Sequence, residues 1–232
     1  MESSVIDGGL FLFLRLAMNK LTSLIFDCDG VLVDTERLMI AVLLEMAAEH
    51  GAEAMDLDEA VHAFSGRYML ETIKVLEARA GRAFPASFES DFRARAYDRF
   101  RQDVKPMPGV PAMLATLKLP FCVASSGPRE KIVLNLSLTG LIDYFPQDHI
   151  FSSYEINSWK PDPGIFLHAA STMGFVRTST AVVEDSIAGV EAAVQGGFRV
   201  FALSTDANRH ELAARGATTF GHMQELPTLL GL

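Results

Sequence analysis

Leu21-Thr22-Ser23-Leu24-Ile25-Phe26-Asp27-Cys28-Asp29-Gly30-Val31-Leu32-Val33-Asp34 is the stretch that decides the fold. A short apolar run stops abruptly at an acid-Cys-acid-Gly turn. That pattern predicts a parallel strand buried on both faces, with two carboxylates at its carboxyl end. Past residue 36 the pattern turns helical, with apolar runs over 38–48 and 68–80, the latter closed by Gly81. A third helix with an Arg-rich face follows Pro85 and runs to about residue 101. Beyond Pro106-Met107-Pro108-Gly109 the chain alternates again. Strands are expected at 121–124, 181–183 and 199–203. Helices are expected at 128–139, 187–195 and 208–215, and from an Asp162 cap with Pro163 in its first turn to Met173. Strand, helix, glycine, strand, repeated, predicts a three-layer, doubly wound α/β sheet with helices on both faces.

The 232 residues are 49% hydrophobic and 21% charged, enough apolar material for a core and too much for a disordered chain. A net charge of −9 argues against a nucleic-acid partner. The apolar run at 10–18 is too short to cross a bilayer and is broken by Arg15, and the flank before it carries Glu2 and Asp7, unlike a signal peptide. Residues 1–17 are expected to be an appendage, with Met18 an alternative start, and no membrane role is expected. The two cysteines, Cys28 and Cys122, cannot form a disulfide framework and contain no CxxC pair, so buried thiols in a reducing cytoplasm are expected.

In open parallel sheets, ligands bind beyond the carboxyl ends of the strands. The residues just past those ends are Asp27 and Asp29, then Ser125-Ser126-Gly127, then Lys160 in a loop, then Glu184 and Asp185. Four carboxylates brought to one edge repel each other unless a hard cation sits among them, and oxygen donors without histidine favour Mg²⁺ over zinc. Ser125, the amides of Ser126 and Gly127, the following helix N-terminus and Lys160 supply what a phosphoryl group needs.

Asp27-Cys-Asp-Gly-Val-Leu-Val-Asp34, Val-Ala-Ser125-Ser-Gly-Pro, Lys160-Pro-Asp-Pro and Val-Glu184-Asp185-Ser-Ile-Ala-Gly resemble the four ordered motifs of the haloacid dehalogenase-like (HAD) hydrolases, over residues 20–230. Within them the chain is similar to the phosphatase and beta-phosphoglucomutase-like branch, and nearest to the phosphogluconate-type sugar-phosphate phosphatases. The resemblance implies a Rossmann-like core of residues 18–35 and 106–232 with an inserted all-helical cap, 36–105. It implies a cytoplasmic, Mg²⁺-dependent phosphoric monoester hydrolase acting on small phosphorylated metabolites, sugar or sugar-acid phosphates, as a monomer or weak homodimer. Asp27 would be the nucleophile that forms an aspartyl-phosphate and a metal ligand. Asp29 would be the general acid and base, with its main-chain carbonyl on the metal. Asp185 would be a metal ligand, with Glu184 a ligand or a support behind one. Ser125, Ser126, Gly127 and Lys160 would hold the phosphoryl group.

Phe64-Ser65-Gly66-Arg67, between two cap helices, is a candidate substrate loop, with Arg67 reaching the leaving group. Trp159 is a candidate pocket wall. Cys28 is expected to pack away from its acidic neighbours, and the six histidines show no ligand-like pairing. A phosphomutase is the alternative on the same scaffold, but those tend to carry a histidine shortly after the first motif and Asp34-Thr-Glu-Arg-Leu-Met-Ile has none. Asp29 argues against a dehalogenase. A non-enzymatic phospho-aspartate receiver module is the remote alternative, and the order of Lys160 before Asp185 and the helical insertion oppose it.

Overall fold

The computed structural model describes residues 20–64 and 69–232, apart from the side chain of residue 62. Six strands form one parallel sheet: β1 Ser23–Phe26, β4 Phe121–Ser125, β5 Ile150–Ser152, β6 Thr180–Glu184, β7 Arg199–Leu203 and β8 Thr218–Phe220, in the order β5-β4-β1-β6-β7-β8. The fold is the doubly wound α/β class expected. Alternation within β1 splits the core in two, because successive strand side chains point to opposite faces. Leu24 and Phe26 join Val123, Ile132, Leu136 and Met113 on one side. Ile25 joins Cys122, Val182, Phe166 and Val190 on the other.

Helices α5 Val110–Thr116, α6 Arg129–Leu138 and α11 Leu226–Leu229 cover the first face. Helices α8 Gly164–Met173, α9 Ile187–Gln195 and α10 Arg209–Ala214 cover the second, and α7 Ser153–Ile156 is a single turn after β5. The chain winds from β1 to β4 and β5 on one side, then crosses to β6, β7 and β8 on the other. That reversal at the carboxyl end of β1 opens the crevice where such sheets bind ligands.

The insertion holds α1 Glu36–Glu49, α2 Leu57–Phe64, α3 Met69–Ala80 and α4 Phe88–Asp103. It has its own core, centred on Leu43, Met46, Leu76, Phe88, Phe92 and Phe100. Arg95 and Arg99 of α4 pair with Glu49 and Glu45 of α1 at 2.6 and 2.8 Å, which accounts for much of the Arg-rich face. The two crossings to the sheet pair with each other. Val33–Asp34 (β2) and Lys105–Pro106 (β3) form an antiparallel ribbon, and Met107 N–H donates to Leu32 C=O at 2.9 Å.

Eight named elements stand where the periodicity predicts none: α2, α5, α7, α11, β2, β3, β5 and β8. Each has eight residues or fewer, too short for a pattern to register. The helix expected to open at an Asp162 cap begins at Gly164 with Pro163 at the cap position, while Asp162 Oδ1 still accepts from Gly164 N–H at 2.8 Å.

Candidate active site

Register puts the predicted residues on one level. Phe26 pairs with Val123 on one flank and Val183 on the other. Asp27 therefore leaves β1 beside the ends of β4 and β6, its N–H still bonded to Val183 C=O at 2.9 Å. Lys160 reaches this point from the loop before α8. Its Nζ donates to Asp27 Oδ1 and to Glu184 Oε1, the latter at 2.5 Å, and lies 4.9 Å from the centre of the Phe166 ring. Glu184 is fully buried. Its second oxygen accepts from Asp185 N–H, Ser186 N–H and Ser186 Oγ at 2.8–3.0 Å.

With both oxygens engaged, Glu184 anchors Lys160. Burial disfavours the Lys160 ammonium, but Asp27 and Glu184 outweigh it and hold its pKa above the ordinary lysine value. Burial likewise opposes the Glu184 carboxylate, and Lys160 and the backbone donors outweigh it in the other direction.

Asp27 is different. Burial, with Glu184 and Asp29 nearby, outweighs Lys160 and pushes its carboxyl up to about 7. Asp185 is pushed well above the usual carboxylate range by burial, Glu184 and Asp27. Asp185 accepts no hydrogen bond and makes no ion pair among the described residues. Its carboxylate lies over the bare Cα of Gly30, where a Cβ would meet Oδ2 at 2.1 Å. Gly30 also has φ +82° in the tight loop after β1, so both backbone and neighbour require glycine here.

Asp29 has partners the motif pattern does not suggest. Thr35 Oγ1 donates to its Oδ1 and Lys131 Nζ to its Oδ2, both at 2.8 Å. Burial works against the Asp29 carboxylate, but Lys131 and Thr35 hold it below the ordinary range. Lys131 sits in the first turn of α6, on the next helix after Ser125-Ser126-Gly127. A cation there opposes the helix dipole, the one sequence signal that could have marked it.

Ser125 is buried, and its Oγ accepts from Gly127 N–H at 3.1 Å. Ser152 Oγ donates to Gly127 C=O at 2.7 Å and fixes the loop from behind. Ser126 lies half-buried between them. Cys28 packs into the core, away from Asp27 and Asp29, and its thiol pKa is raised well above the ordinary value by burial.

Helix α4 packs over α6, and Phe100 and Tyr97 on one side of it lie next to Lys131, with Arg93 one turn before Tyr97. The Phe100 ring centre is 5.5 Å from Lys131 Nζ, and Tyr97 lies in the field of Lys131 and Asp29. Arg93 binds Glu89 at 2.7 Å and interacts with Tyr154 of the core. Trp159 is half exposed, edge-on to Tyr154 at 5.4 Å. Arg67 lies outside the described residues. The structure thus brings Asp27, Asp29, Ser125, Ser126, Gly127, Lys160, Glu184 and Asp185 to one sheet edge, and adds Thr35, Lys131 and, from α4, Tyr97 and Phe100.

A six-stranded parallel sheet with this cluster at its switch point defines an α/β enzyme. A family model described as haloacid dehalogenase-like hydrolase matches residues 24–203. The chain is 32% identical over 213 residues to 6-phosphogluconate phosphatase of Escherichia coli, covering 91% of this chain and 96% of the relative. A haloacid dehalogenase-like protein of unknown function from Agrobacterium tumefaciens superposes with a TM-score of 0.83 at 30% identity, over 91% of this chain and 98% of the other. A HAD family hydrolase from Deinococcus radiodurans, with bound phosphate and sodium, gives 0.79 at 25% identity over 92% and 96%. The chain belongs to the haloacid dehalogenase-like hydrolases, on the phosphatase side of that family.

Proposed function

We propose that this hydrolase cleaves phosphate monoesters of sugars or sugar acids through an aspartyl-phosphate on Asp27, with the helical insertion acting as a cap. One observation carries the reading: a buried Asp27 held by Lys160, which is itself anchored on Glu184, with Asp29 two residues on and a hydroxyl loop beside it. Asp27 attacks phosphorus and the ester P–O bond breaks, while Asp29, which must first take up a proton because Lys131 and Thr35 favour its ionised form, delivers that proton to the leaving oxygen. Asp29 then takes a proton from water, the oxygen of that water attacks phosphorus, and the Asp27–phosphorus link breaks to release phosphate. Lys160 and Ser125 hold the phosphoryl oxygens in place.

The donor set suits a hard divalent cation. Four carboxylates face two ammonium groups, and Asp185 makes no ion pair among the described residues, although it feels the charge of Lys160. No three acidic, His or Cys side chains among the described residues gather tightly enough to enclose an ion by themselves. Asp27, Asp185 and the Asp29 main-chain carbonyl would hold Mg²⁺, which would neutralise charge at the phosphoryl group. The similarity to a 6-phosphogluconate phosphatase supports a sugar-acid substrate. Among the described residues no helix is long and apolar enough to cross a membrane, and the two buried free thiols suit a reducing cytoplasm.

The test is a phosphate-release screen with 6-phosphogluconate, hexose phosphates and small phosphorylated acids, run with Mg²⁺ and with a chelator. Metal-dependent release from sugar or sugar-acid phosphates is expected. Isomer interconversion without phosphate release would assign the mutase instead.

A further inference from the structure

One part-buried cation beside the site has no role in the steps proposed for the reaction. The Lys131 side chain is 14% exposed, yet among the described residues its ammonium donates a single hydrogen bond, to Asp29 Oδ2. Two of its three N–H groups are therefore unspent. The ring of Phe100 from the helical insertion closes one side of it, and Asp29 lies on another. Asp29 does not need Lys131 for its aim, because Thr35 holds the opposite oxygen at 2.8 Å.

We infer that Lys131 is a specificity-determining residue: it binds the oxygen substituent on the carbon next to the ester carbon of the leaving group. The inference rests on the acid role given to Asp29 in the proposed function. A group that protonates the leaving oxygen stands within one hydrogen bond of it. Lys131 Nζ, 2.8 Å beyond Asp29 Oδ2, then stands within about two hydrogen-bond lengths of the ester oxygen. In an O–C–C–O unit the second oxygen lies only about 3–3.5 Å from the first in staggered conformers. The vicinal hydroxyl of a sugar phosphate, or the carboxylate of a short phosphorylated acid, therefore falls within reach of the spare N–H groups. The far end of a six-carbon chain does not. This contact distinguishes polyol and acid phosphates from plain alkyl phosphates, and it comes from α6 of the sheet domain, not from the helical insertion.

The experiment compares glycerol 1-phosphate, which has the vicinal hydroxyl, with n-propyl phosphate, which lacks it. Phosphoglycolate and ethyl phosphate form a second pair with a carboxylate. The readout is the ratio of kcat/KM within each pair, for wild type, Lys131→Met and Lys131→Arg. Wild type is expected to prefer the oxygenated member of both pairs. Lys131→Met should shrink that preference by roughly 10-fold for the hydroxyl and more for the carboxylate, as loss of a charge-assisted hydrogen bond requires. Lys131→Arg, which keeps the charge, should restore part of it.

Equal loss on both members of each pair would overturn the inference and leave Lys131 as a positioning residue for Asp29. So would a wild type with no preference. Failure of the proposed function has a different signature. If the vicinal preference depends on Lys131 but no sugar or sugar-acid phosphate is turned over, the inference stands and the substrate reading falls. If 6-phosphogluconate turnover survives in Lys131→Met with both ratios unchanged, the substrate reading stands and the inference falls.

Discussion

Asp27 must be both ionised and aimed to attack phosphorus, and burial at the end of β1 works against the first requirement. Lys160 answers it with a full charge at contact distance, and Glu184 keeps Lys160 from turning elsewhere. All three side chains are under 10% exposed, and Lys160 serves both acids, so removing Lys160 leaves two unpaired carboxylates in a poor solvent for charge. Lys160→Met is expected to cost about 3–5 kcal/mol in urea unfolding, the usual result of breaking a buried pair from one side. Asp27→Asn is expected to abolish phosphate release while melting no lower than wild type, because the buried carboxyl it removes is itself disfavoured as a charge. A lowered melting point would mean that the Lys160 bond, not desolvation, dominates there. Asp29→Ala should lower turnover by roughly 10²–10⁴-fold on alkyl esters and less on aryl phosphates, whose leaving groups need little protonation. Equal losses on both would contradict the acid role.

The strand-to-helix loops are built so that backbone, not side chain, makes room for the acids. After β6, Glu184 folds against the bare Cα of Gly189 in α9, where a Cβ would lie 1.8 Å from Oε1. Ser186 caps the same helix, accepting from Gly189 N–H at 3.0 Å, and donates to Glu184. Helix cap, carboxylate anchor and Lys160 are thus one assembly. Gly189→Ala is expected to displace Glu184, costing about 1–3 kcal/mol by overpacking and lowering kcat through Lys160. Circular dichroism and kinetics on the same preparation test this, and unchanged kinetics would detach the anchor from catalysis. On the far side, the β2–β3 ribbon joins the insertion to the sheet by two residue pairs. A bend there would move all four helices together, since they share one core.

Charge balance sets how the complete chain responds to pH and metal. Asp27 and Asp185 have folded pKa values above their unfolded ones, so each favours folding when protonated. Their contribution falls away as pH rises through the folded value, about 7 for Asp27. Glu184 and Asp29 are depressed and act in the opposite sense, losing their contribution only as pH drops below the ordinary carboxylate range. Without metal, the melting temperature should therefore rise as pH is lowered from about 8 to 5 and fall below that. Saturating Mg²⁺ should raise it most at pH 8 and flatten the upper limb, because the cation favours the ionised acids. Scanning fluorimetry with chelator and with Mg²⁺ would show this. A metal-free profile flat between pH 8 and 5 would contradict the assigned charge state.

The parallel sheet and the position of the site were legible because both depend on local pattern. Leu24 to Phe26 is apolar where a doubly buried strand must be. It stops at Asp27 because charge enters that layer only at its rim and with partners, and the same break places Ser125, Glu184 and Asp185. Residue types and their order thus determined which groups reach the sheet edge. They did not determine what those groups touch. Lys131 and Asp29 are 102 positions apart, and only the packing of α6 on the sheet brings them to 2.8 Å. Tyr97 and Phe100 face Lys131 because α4 lies on α6, an orientation no periodicity within α4 can encode. Glu184 and Asp185 are adjacent and similar in sequence, yet one is buried against Lys160 and the other lies over Gly30 with no ion pair among the described residues. Composition and spacing act along the chain over a few residues, whereas pairing, desolvation and charge balance depend on distances that exist only once remote segments have packed.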